Sequence, residues 1–581
     1  MSLHDTLEQI STASAPQTVS ASAPRVLRQL CEALLCEGWA TALHIRRDQS
    51  LSWSLRQSQF RACGRRGAFG RYRLQEGSIE TRCDGKWRAA DTDDVLAAVA
   101  DPSDALEILR ADLDHTKHLS DLTAKLFPAI ARRHTLPLPA LETALYEGHP
   151  YHPCFRARSG FSDADHLAYG PEAGGTFRLI GVLFHHSLVQ QILPSPDFWE
   201  QELGHAEWQR IAVLAAELGV PLDSFRLLPL HPWQHAKLQG DPLFSDWRRA
   251  GRLADIGPIG ETYRATQSVR TLMNADTPAS AHVKTAMAIR NTSALRTLAP
   301  ESVTVAPAIS HWLGNVVDSD PLFSRRYPLT LLPEYAAITV GRGTALDGHL
   351  AAIWRQSPLS LGLPADSMMP FNGLALTEPD GTPLIAPWIR RHGLVPWLDQ
   401  LIETAVLPVW HLLVAHGIGL EAHGQNLILH HQDGWPAGLI ARDFHESLEY
   451  VYALLPRPDL CPDLARIDPA YADAPLDRFH RMSSPEELRW LVMDTLFVFN
   501  LADLSALLQR HYGFAESTFW RRVRARLDSY AAEQGLQDRE AALIPFAPQI
   551  RAESLISRKI DPDTPQHGHL IANSLATAKD D

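Results

Sequence analysis

Residues 417–447 read GIGLEAHGQNLILHHQDGWPAGLIARDFHES, and the order of residue types in this stretch decides how the last third of the chain folds. Two apolar runs, 427–429 and 438–441, lie either side of Asp433-Gly434, the dipeptide expected at a tight turn between antiparallel strands. Polar residues gather at the far end of each run: Glu421, His423, Gln425 and Asn426 before the first, Arg442 and Asp443 after the second. A hairpin folded about the turn brings Asn426 close to Asp443. An amide oxygen and a strand-end carboxylate together suit Mg²⁺, as in kinase-like phosphotransferases, where an Asn and an Asp hold the metal. Such kinases also need a catalytic-loop carboxylate to take a proton, and Gln425, which stands nearby, is an amide that cannot do so.

The flanking sequence is helical in pattern. VPWLDQLIETAVLPVWHLLVAHG (395–417) is amphipathic and closes on Gly417. SPEELRWLVMDTLFVFNLADLSALLQRHYG (484–513) opens on a Ser-x-x-Glu capping signal and closes on Gly513. Residues 391–581 therefore form a mostly helical part carrying one hairpin.

Upstream, residues 136–390 are rich in Pro, His and Thr. Short β-like runs (TFRLIGVLFHH, SFRLLPLHPWQ, ESVTVAPAI) predict a mixed or antiparallel sheet with long loops. Residues 1–135 predict a small α+β unit. It has a helix from about Pro24 to Trp39 and strands around the Asp84-Gly85 turn. A second helical stretch, 91–133, carries Leu106, Leu109, Leu113, Leu119, Leu122 and Leu126 on one stripe. The Ser/Ala/Thr/Pro-rich start lacks the basic-then-apolar order of a secretory signal and reads as a mobile leader.

With 581 residues the chain exceeds one hydrophobic core. Its 67 acidic and 54 basic residues give a net charge of −13, the wrong sign for a general nucleic-acid binder. No run of about 18 apolar residues suggests a membrane span. Six cysteines without a CxxC pair fit neither a disulfide framework nor a zinc knuckle, and point to a reducing cytoplasm.

Two further clusters carry chemistry. SVRTLMNADTPASAHVKTAMAIRNTSALRTL (268–298) supplies Ser268, Arg270, Lys284, Arg290, Thr292, Ser293 and Arg296 with few acids between them. HVKTAMAI reads as a strand presenting Lys284 on one face, and Thr292-Ser293 as a helix N-terminus, a place that favours anions. Arg296 can fork onto a carboxylate or phosphate. EGHPYHPCFRARSGFS (147–162) places His149 and His152 near Arg156 and Arg158, a set suited to a polycarboxylate. A zinc site would need more ligands than this pair, and no HExxH motif exists.

Taken together, GHPYHPCFRARSGF (148–161), LHPWQ (230–234), SVRT (268–271), KTAMAIRNTSALRTL (284–298), EAHGQN (421–426) and RDFHES (442–447) resemble the IucA/IucC family of NRPS-independent siderophore synthetases. Residues 550–575 are similar to the family's C-terminal end, which is related to ferric-iron reductase-like sequences. Arg156 stands where the family pattern has Lys, and Asn291 where it has an apolar residue.

The resemblance implies an α/β (α+β) cradle: an N-terminal thumb, 1–135, a β-rich finger region, 136–390, and a largely helical, kinase-like palm, 391–581. It implies a homodimer and ATP-dependent adenylation of a carboxylate, usually citrate. The acyl adenylate is then captured by an amine, hydroxylamine or alcohol, such as a hydroxamate-bearing partner. A carboxylate is already ionised at pH 7, so the missing base at Gln425 is not needed for the first step.

Carried over by position, Ser268, Arg270, Lys284 and Arg296 would contact the phosphates, and Thr292, Ser293 and Arg296 the carboxylate. His423, Gln425 and Asn426 would line the junction between nucleotide and substrate. Glu421 and Asp443 would lie near ribose or metal, with Asn426 and Asp443 holding Mg²⁺, and His149 and His152 would face substrate. Arg296, His423 and Lys284 are the expected catalytic groups. Two alternatives accompany this reading, a small-molecule phosphotransferase and a ferric-chelate binding protein, the latter suggested by 27 histidines and the reductase-like end.

Overall fold

The computed structural model describes residues 20–292, 294–563 and 568–577. The leader up to residue 19, and Ser293, lie outside the described residues.

The N-terminal part follows its pattern, except that the helical stretch divides into Thr92–Val99 and Asp104–Leu126 and leaves Leu126 only half-buried. Helix Ala23–Cys36 buries Val26, Leu27, Leu30, Leu34 and Leu35 against a six-stranded antiparallel sheet. Asp84 and Gly85, both at positive φ, turn strand Glu80–Cys83 back into Lys86–Ala89. Helix Asp104–Leu126 buries Leu106, Leu109, Leu113, Leu119 and Leu122. This core also takes in Tyr151, Cys154 and Phe155 from the HPYHPCF segment and Ile556 and Ile560 from near the C-terminus. Glu37 fixes that returning end by accepting from the backbone N–H groups of Ile556 and Ser557 at 3.0 and 2.7 Å.

The middle of the chain forms an eight-stranded antiparallel sheet. Its order is Val189–Ile192, Glu334–Val340, Ala351–Arg355, His282–Thr285, Thr271–Asn274, Leu253–Ala265, Phe177–His185 and Phe225–Leu230. One expectation fails here. SVTVAPAI is not a strand but part of helix Pro300–Ser319, which packs on strand Glu334–Val340. Pro300 at the first helical position is pre-set for the helix, and the apolar residues Val303, Val305, Ala306, Ile309 and Trp312 are buried on several faces at once. A short apolar run has no period that separates such a core helix from a strand.

The last third carries the largest core. Gly417 and Gly513 end their helices in the left-handed conformation, and Ser484 accepts from the Glu487 N–H, as the capping signals predict. The helical stretches Leu394–His416 and Pro485–Tyr512 are long and apolar enough to cross a membrane by composition. In each, 78% of the apolar window is buried inside the fold, which makes them core helices. The hairpin is present: Leu427–Gln432 pairs antiparallel with Trp435–Ala441 about Asp433 (φ 50°) and Gly434 (φ 83°). It sits in a four-stranded sheet between Met368–Pro370 and the parallel strand Leu329–Leu331. All six cysteines are free thiols.

Candidate active site

Sheet register places the first group of charged residues. Lys284 pairs with Ile353, His282 with Arg355, and Arg355 with Glu334. Paired residues share a face and the period along a strand is two, so Lys284, His282, Arg355 and Glu334 occupy one patch. The hairpin delivers Asp443 to this patch at a positive φ of 67°. Asp443 Oδ1 accepts from Lys284 Nζ at 3.1 Å and from Arg355 NH1 at 2.8 Å. Burial works against ionisation of Asp443, but Lys284 and Arg355 outweigh it and hold the carboxyl well below the usual range. Burial, with Arg270 adding repulsion, pushes the Lys284 ammonium down against the pull of Asp443.

Glu334 braces the turn that carries Asp443. Its carboxylate accepts from the N–H groups of Phe444 and His445 at 3.2 and 3.0 Å and from His445 Nδ1 at 2.8 Å. The His445 Nε2 is left buried without a hydrogen bond, 3.8 Å from Glu446. Arg270 lies 3.9 Å from Glu446 and donates to the Thr297 carbonyl. Ser268 accepts from Thr271 Oγ1 at 3.4 Å at the head of the same strand.

The second group lines a cavity of about 1120 Å³. His149, His152, Thr292, Arg296, Glu421, His423 and Gln425 are on its wall; Ser268, Arg270, Lys284, Asn426 and Asp443 are not, and form the charged patch or its support. Thr292 does not open a helix. It occupies the turn of a small hairpin, Arg290–Asn291 with Ala294–Leu295, at a φ of 57°. A β-branched residue in that region is strained, and such strain concentrates at functional sites. Arg296 NH2 donates to Thr292 Oγ1 at 2.9 Å and to the Asn291 carbonyl at 3.1 Å. Among the described residues no carboxylate lies within ion-pair distance of it. Burial, with Arg270 adding repulsion, brings the guanidinium down to about 10, so it stays charged at neutral pH.

The EAHGQN turn is held from several sides. Its Gly424 carbonyl accepts from the Asn372 N–H at 3.2 Å. Arg442 Nε donates to the Gln425 carbonyl at 2.8 Å, and Arg442 NH1 to Glu142 at 2.7 Å, both partners of that ion pair being buried. Asn426 Nδ2 donates to the Glu421 carbonyl at 3.1 Å. Glu421 also accepts from Ser447 Oγ at 2.5 Å, tying the two polar clusters of the hairpin together.

Histidine tautomers follow from local turns. In each of the three His-Pro pairs, His149, His152 and His231, Nδ1 accepts from the N–H two residues on, at 3.0 to 3.1 Å. The intervening proline has no N–H to offer. His423 does the same toward Gln425 N–H at 3.1 Å. An accepting Nδ1 leaves the proton on Nε2, so the His423 Nε2–H is available as a hydrogen-bond donor. Burial pushes His149 down to about 3, so it is neutral at pH 7.

Asp443, Glu334 and His445 each have a ligand atom within 4.8 Å of the others. Mg²⁺ prefers oxygen, and Glu334 is spent on the turn, so of the three it is Asp443, whose Oδ1 already faces Lys284 and Arg355, that could offer its carboxylate to the ion. Asn426 commits its amide nitrogen to Glu421, which leaves its oxygen as the second ligand atom the sequence singled out. Arg355, Glu334, His445 and Glu446 escaped the sequence reading. Arg355 ends an apolar strand, AAIWR, which is the same signal that drew attention to Arg442-Asp443.

The fold has known counterparts. The IucA/IucC family profile matches residues 137–376, and that of the FhuF-like ferric iron reductase transporters residues 396–563. A Bacillus anthracis protein named citryl-spermidine/3,4-dihydroxybenzoyl-citryl-spermidine:spermidine ligase is 32% identical over 96% of this chain and 93% of its own. The crystal structure of petrobactin biosynthesis protein AsbB from Bacillus anthracis superposes with a TM-score of 0.91 at 31% identity, covering 100% of this chain and 98% of that one. An ATP-bound aerobactin synthetase, IucA of Klebsiella pneumoniae, shares the fold at a TM-score of 0.75 and 19% identity, covering 96% of this chain and 100% of that one. The class is thus a mixed α/β ligase of siderophore biosynthesis, one that forms amide bonds. The chain belongs to the IucA/IucC family and is an NRPS-independent siderophore synthetase.

Proposed function

We propose that this synthetase uses ATP to activate a citrate-type carboxylate as its acyl adenylate and transfers the acyl group to an amine. The observation that carries this reading is Arg296, a charged guanidinium on the cavity wall with only a hydroxyl and a carbonyl as partners. A half-buried cation without a carboxylate partner is suited to an anionic ligand.

In the first step a carboxylate oxygen of the substrate attacks the α-phosphorus of ATP, and the bond to the bridging oxygen breaks to release pyrophosphate. Two anions meet in this step, and Arg296, Lys284 and Arg270 lower their repulsion and stabilise charge on the phosphoryl oxygens. The His423 Nε2–H and the Gln425 amide add neutral donors at the junction. Asp443 and Asn426 would hold Mg²⁺, which neutralises phosphate charge when bound. In the second step the amine nitrogen attacks the acyl carbon, AMP leaves with the bonding pair, and the nitrogen loses a proton to solvent. Spermidine-like polyamines head the amine candidates, because the relative at 32% identity is named for spermidine.

The test is to incubate the pure chain with ATP, Mg²⁺, hydroxylamine and one carboxylate at a time, measuring hydroxamate, AMP and pyrophosphate. Citrate-dependent hydroxamate with AMP is the expected outcome. ADP as product, or no carboxylate dependence across the panel, overturns the reading.

A further inference from the structure

A second cluster of ligand atoms lies away from this cavity. Asp320 follows helix Pro300–Ser319 directly, and His411 and His416 lie in helix Leu407–His416. Asp320 Oδ2 is 2.9 Å from His411 Nε2 and 3.0 Å from His416 Nε2, so one oxygen and two imidazole nitrogens converge on a single point. None of the three is on the wall of the large cavity.

We propose that Asp320, His411 and His416 form a binding site for a divalent transition-metal ion of the zinc class, with solvent as its fourth ligand. Two nitrogens and one carboxylate oxygen are a donor set that suits Zn²⁺ and not Mg²⁺ or Ca²⁺, which prefer all-oxygen shells. Tetrahedral ligands about 2.0–2.1 Å from an ion stand roughly 3.3 Å apart, so each Asp–His separation needs to open by only a few tenths of an ångström, and the three ligand atoms all lie within 4.8 Å of one another.

The surroundings orient the ligands in the way metal sites require. The other carboxylate oxygen, Oδ1, accepts from the Leu322 N–H at 2.9 Å, which aims Oδ2 at the imidazoles. His411 Nδ1 lies 2.6 Å from the Tyr530 hydroxyl. With that nitrogen protonated and donating to the hydroxyl, Nε2 is freed as a ligand, the usual outer-shell arrangement of a metal-bound histidine. Phe323 packs on both imidazoles, with ring centroids at 4.9 and 5.7 Å.

Electrostatics favour a cation here as well. Two helices end at the cluster, and helix C-termini carry partial negative charge. The nearby cation, Arg539, is turned onto the carbonyls of Val414 and Leu454 at 2.7 and 2.6 Å. Asp320 retains side-chain exposure of 20% and His416 of 13%, which gives an ion a path in from solvent. Because Gly417 leads from His416 into strand Ile418–Leu420 and then Glu421, a bound ion would pin the helix ends that feed the EAHGQN turn.

The experiment uses the full chain with any purification tag removed, stripped with chelator and then dialysed against Zn²⁺ or Co²⁺. The expected result is one tightly held equivalent per chain, intense visible absorption from tetrahedral Co²⁺, and a Tm raised by several degrees. His416→Ala and Asp320→Asn should each lose that equivalent and the Tm increment while keeping synthetase turnover. Retention of the equivalent by both variants, or no equivalent in the wild type, overturns the proposal. If His416→Ala fails to fold, the Co²⁺ spectrum of the wild type and metal retention by Asp320→Asn decide the matter: a spectrum without tetrahedral bands, or full retention, overturns it.

Discussion

Lys284 Nζ donates to Asp443 Oδ1 at 3.1 Å across 159 residues of sequence, joining the central sheet to the end of the hairpin. Arg355 holds the same oxygen from the neighbouring strand at 2.8 Å. The two cations are therefore not equivalent under mutation. Lys284→Met leaves Asp443 paired with Arg355, so the fold should survive while carboxylate-dependent pyrophosphate release falls about 100- to 1000-fold, the scale of losing one oriented electrostatic donor. Asp443→Asn instead leaves two buried cations without their carboxylate, and should also cost about 3–5 kcal/mol of stability. Turnover and urea midpoints of both variants check this. Equal destabilisation by the two would show that Arg355 does not hold Asp443 alone.

Arg296→Ala removes a cavity-wall cation that has no carboxylate partner among the described residues. Pyrophosphate release should fall to background with Tm nearly unchanged, because only bonds to Thr292 Oγ1 and the Asn291 carbonyl are lost. Arg296→Lys keeps the charge but not the fork, and should recover only part of the rate. Turnover near wild type in the alanine variant would remove Arg296 from the mechanism.

How much of this was legible in sequence depends on the range of the interactions. The hairpin was readable because Asp433-Gly434 and its flanking runs are local, and so were the capped helices ending at Gly417 and Gly513. HVKTAMAI puts Lys284 on a strand face, as found, but the strand covers only His282–Thr285 and the apolar AMAI that follows lies outside it. Glu334 and Arg355 were missed because only cross-strand register puts them beside Lys284, and register between distant strands leaves no local trace. SVTVAPAI was misread because burial on several faces erases the helical period. Thr292 was misread because small polar residues before an apolar pair fit a helix cap and a hairpin turn equally well. The convergence of Asp320 on His411 and His416 is likewise invisible before folding, with some 90 residues between them.

Gly424 is the position in the EAHGQN turn that tolerates no side chain. A Cβ there would meet Asn372 Cβ at 2.8 Å and its Cα and backbone nitrogen at 2.9 Å. Backbone cannot yield cheaply, so Gly424→Ala should push His423 and Gln425 off their positions on the cavity wall. The expected outcome is a loss of turnover of at least tenfold with a Tm decrease of only a few degrees. A rate unchanged in steady-state assays would mean that the turn need not lie against Asn372.

The buried histidines set how stability depends on pH. His231 is fully buried, its Nδ1 accepts from the Trp233 N–H at 3.1 Å, and burial alone brings its pKa down to about 3. In the unfolded chain the value is about 6.5, so below that pH the unfolded state binds the proton and the folded state does not. The stability this group contributes is therefore fully present above about pH 6.5 and is lost as pH falls toward about 3, at up to about 1.4 kcal/mol per pH unit. His149 behaves alike, and His166, His431 and His569, each brought down to about 4, add to the slope over a narrower window. The histidine contribution to the thermal midpoint should be level from pH 8 to 7 and fall steadily below pH 6.5. His231→Asn keeps an acceptor for the Trp233 N–H but cannot take up a proton, so its melting curve should be shallower over pH 6.5–4.5. An unaltered slope would mean that His231 is protonated in the folded protein and that its burial is relieved by solvent.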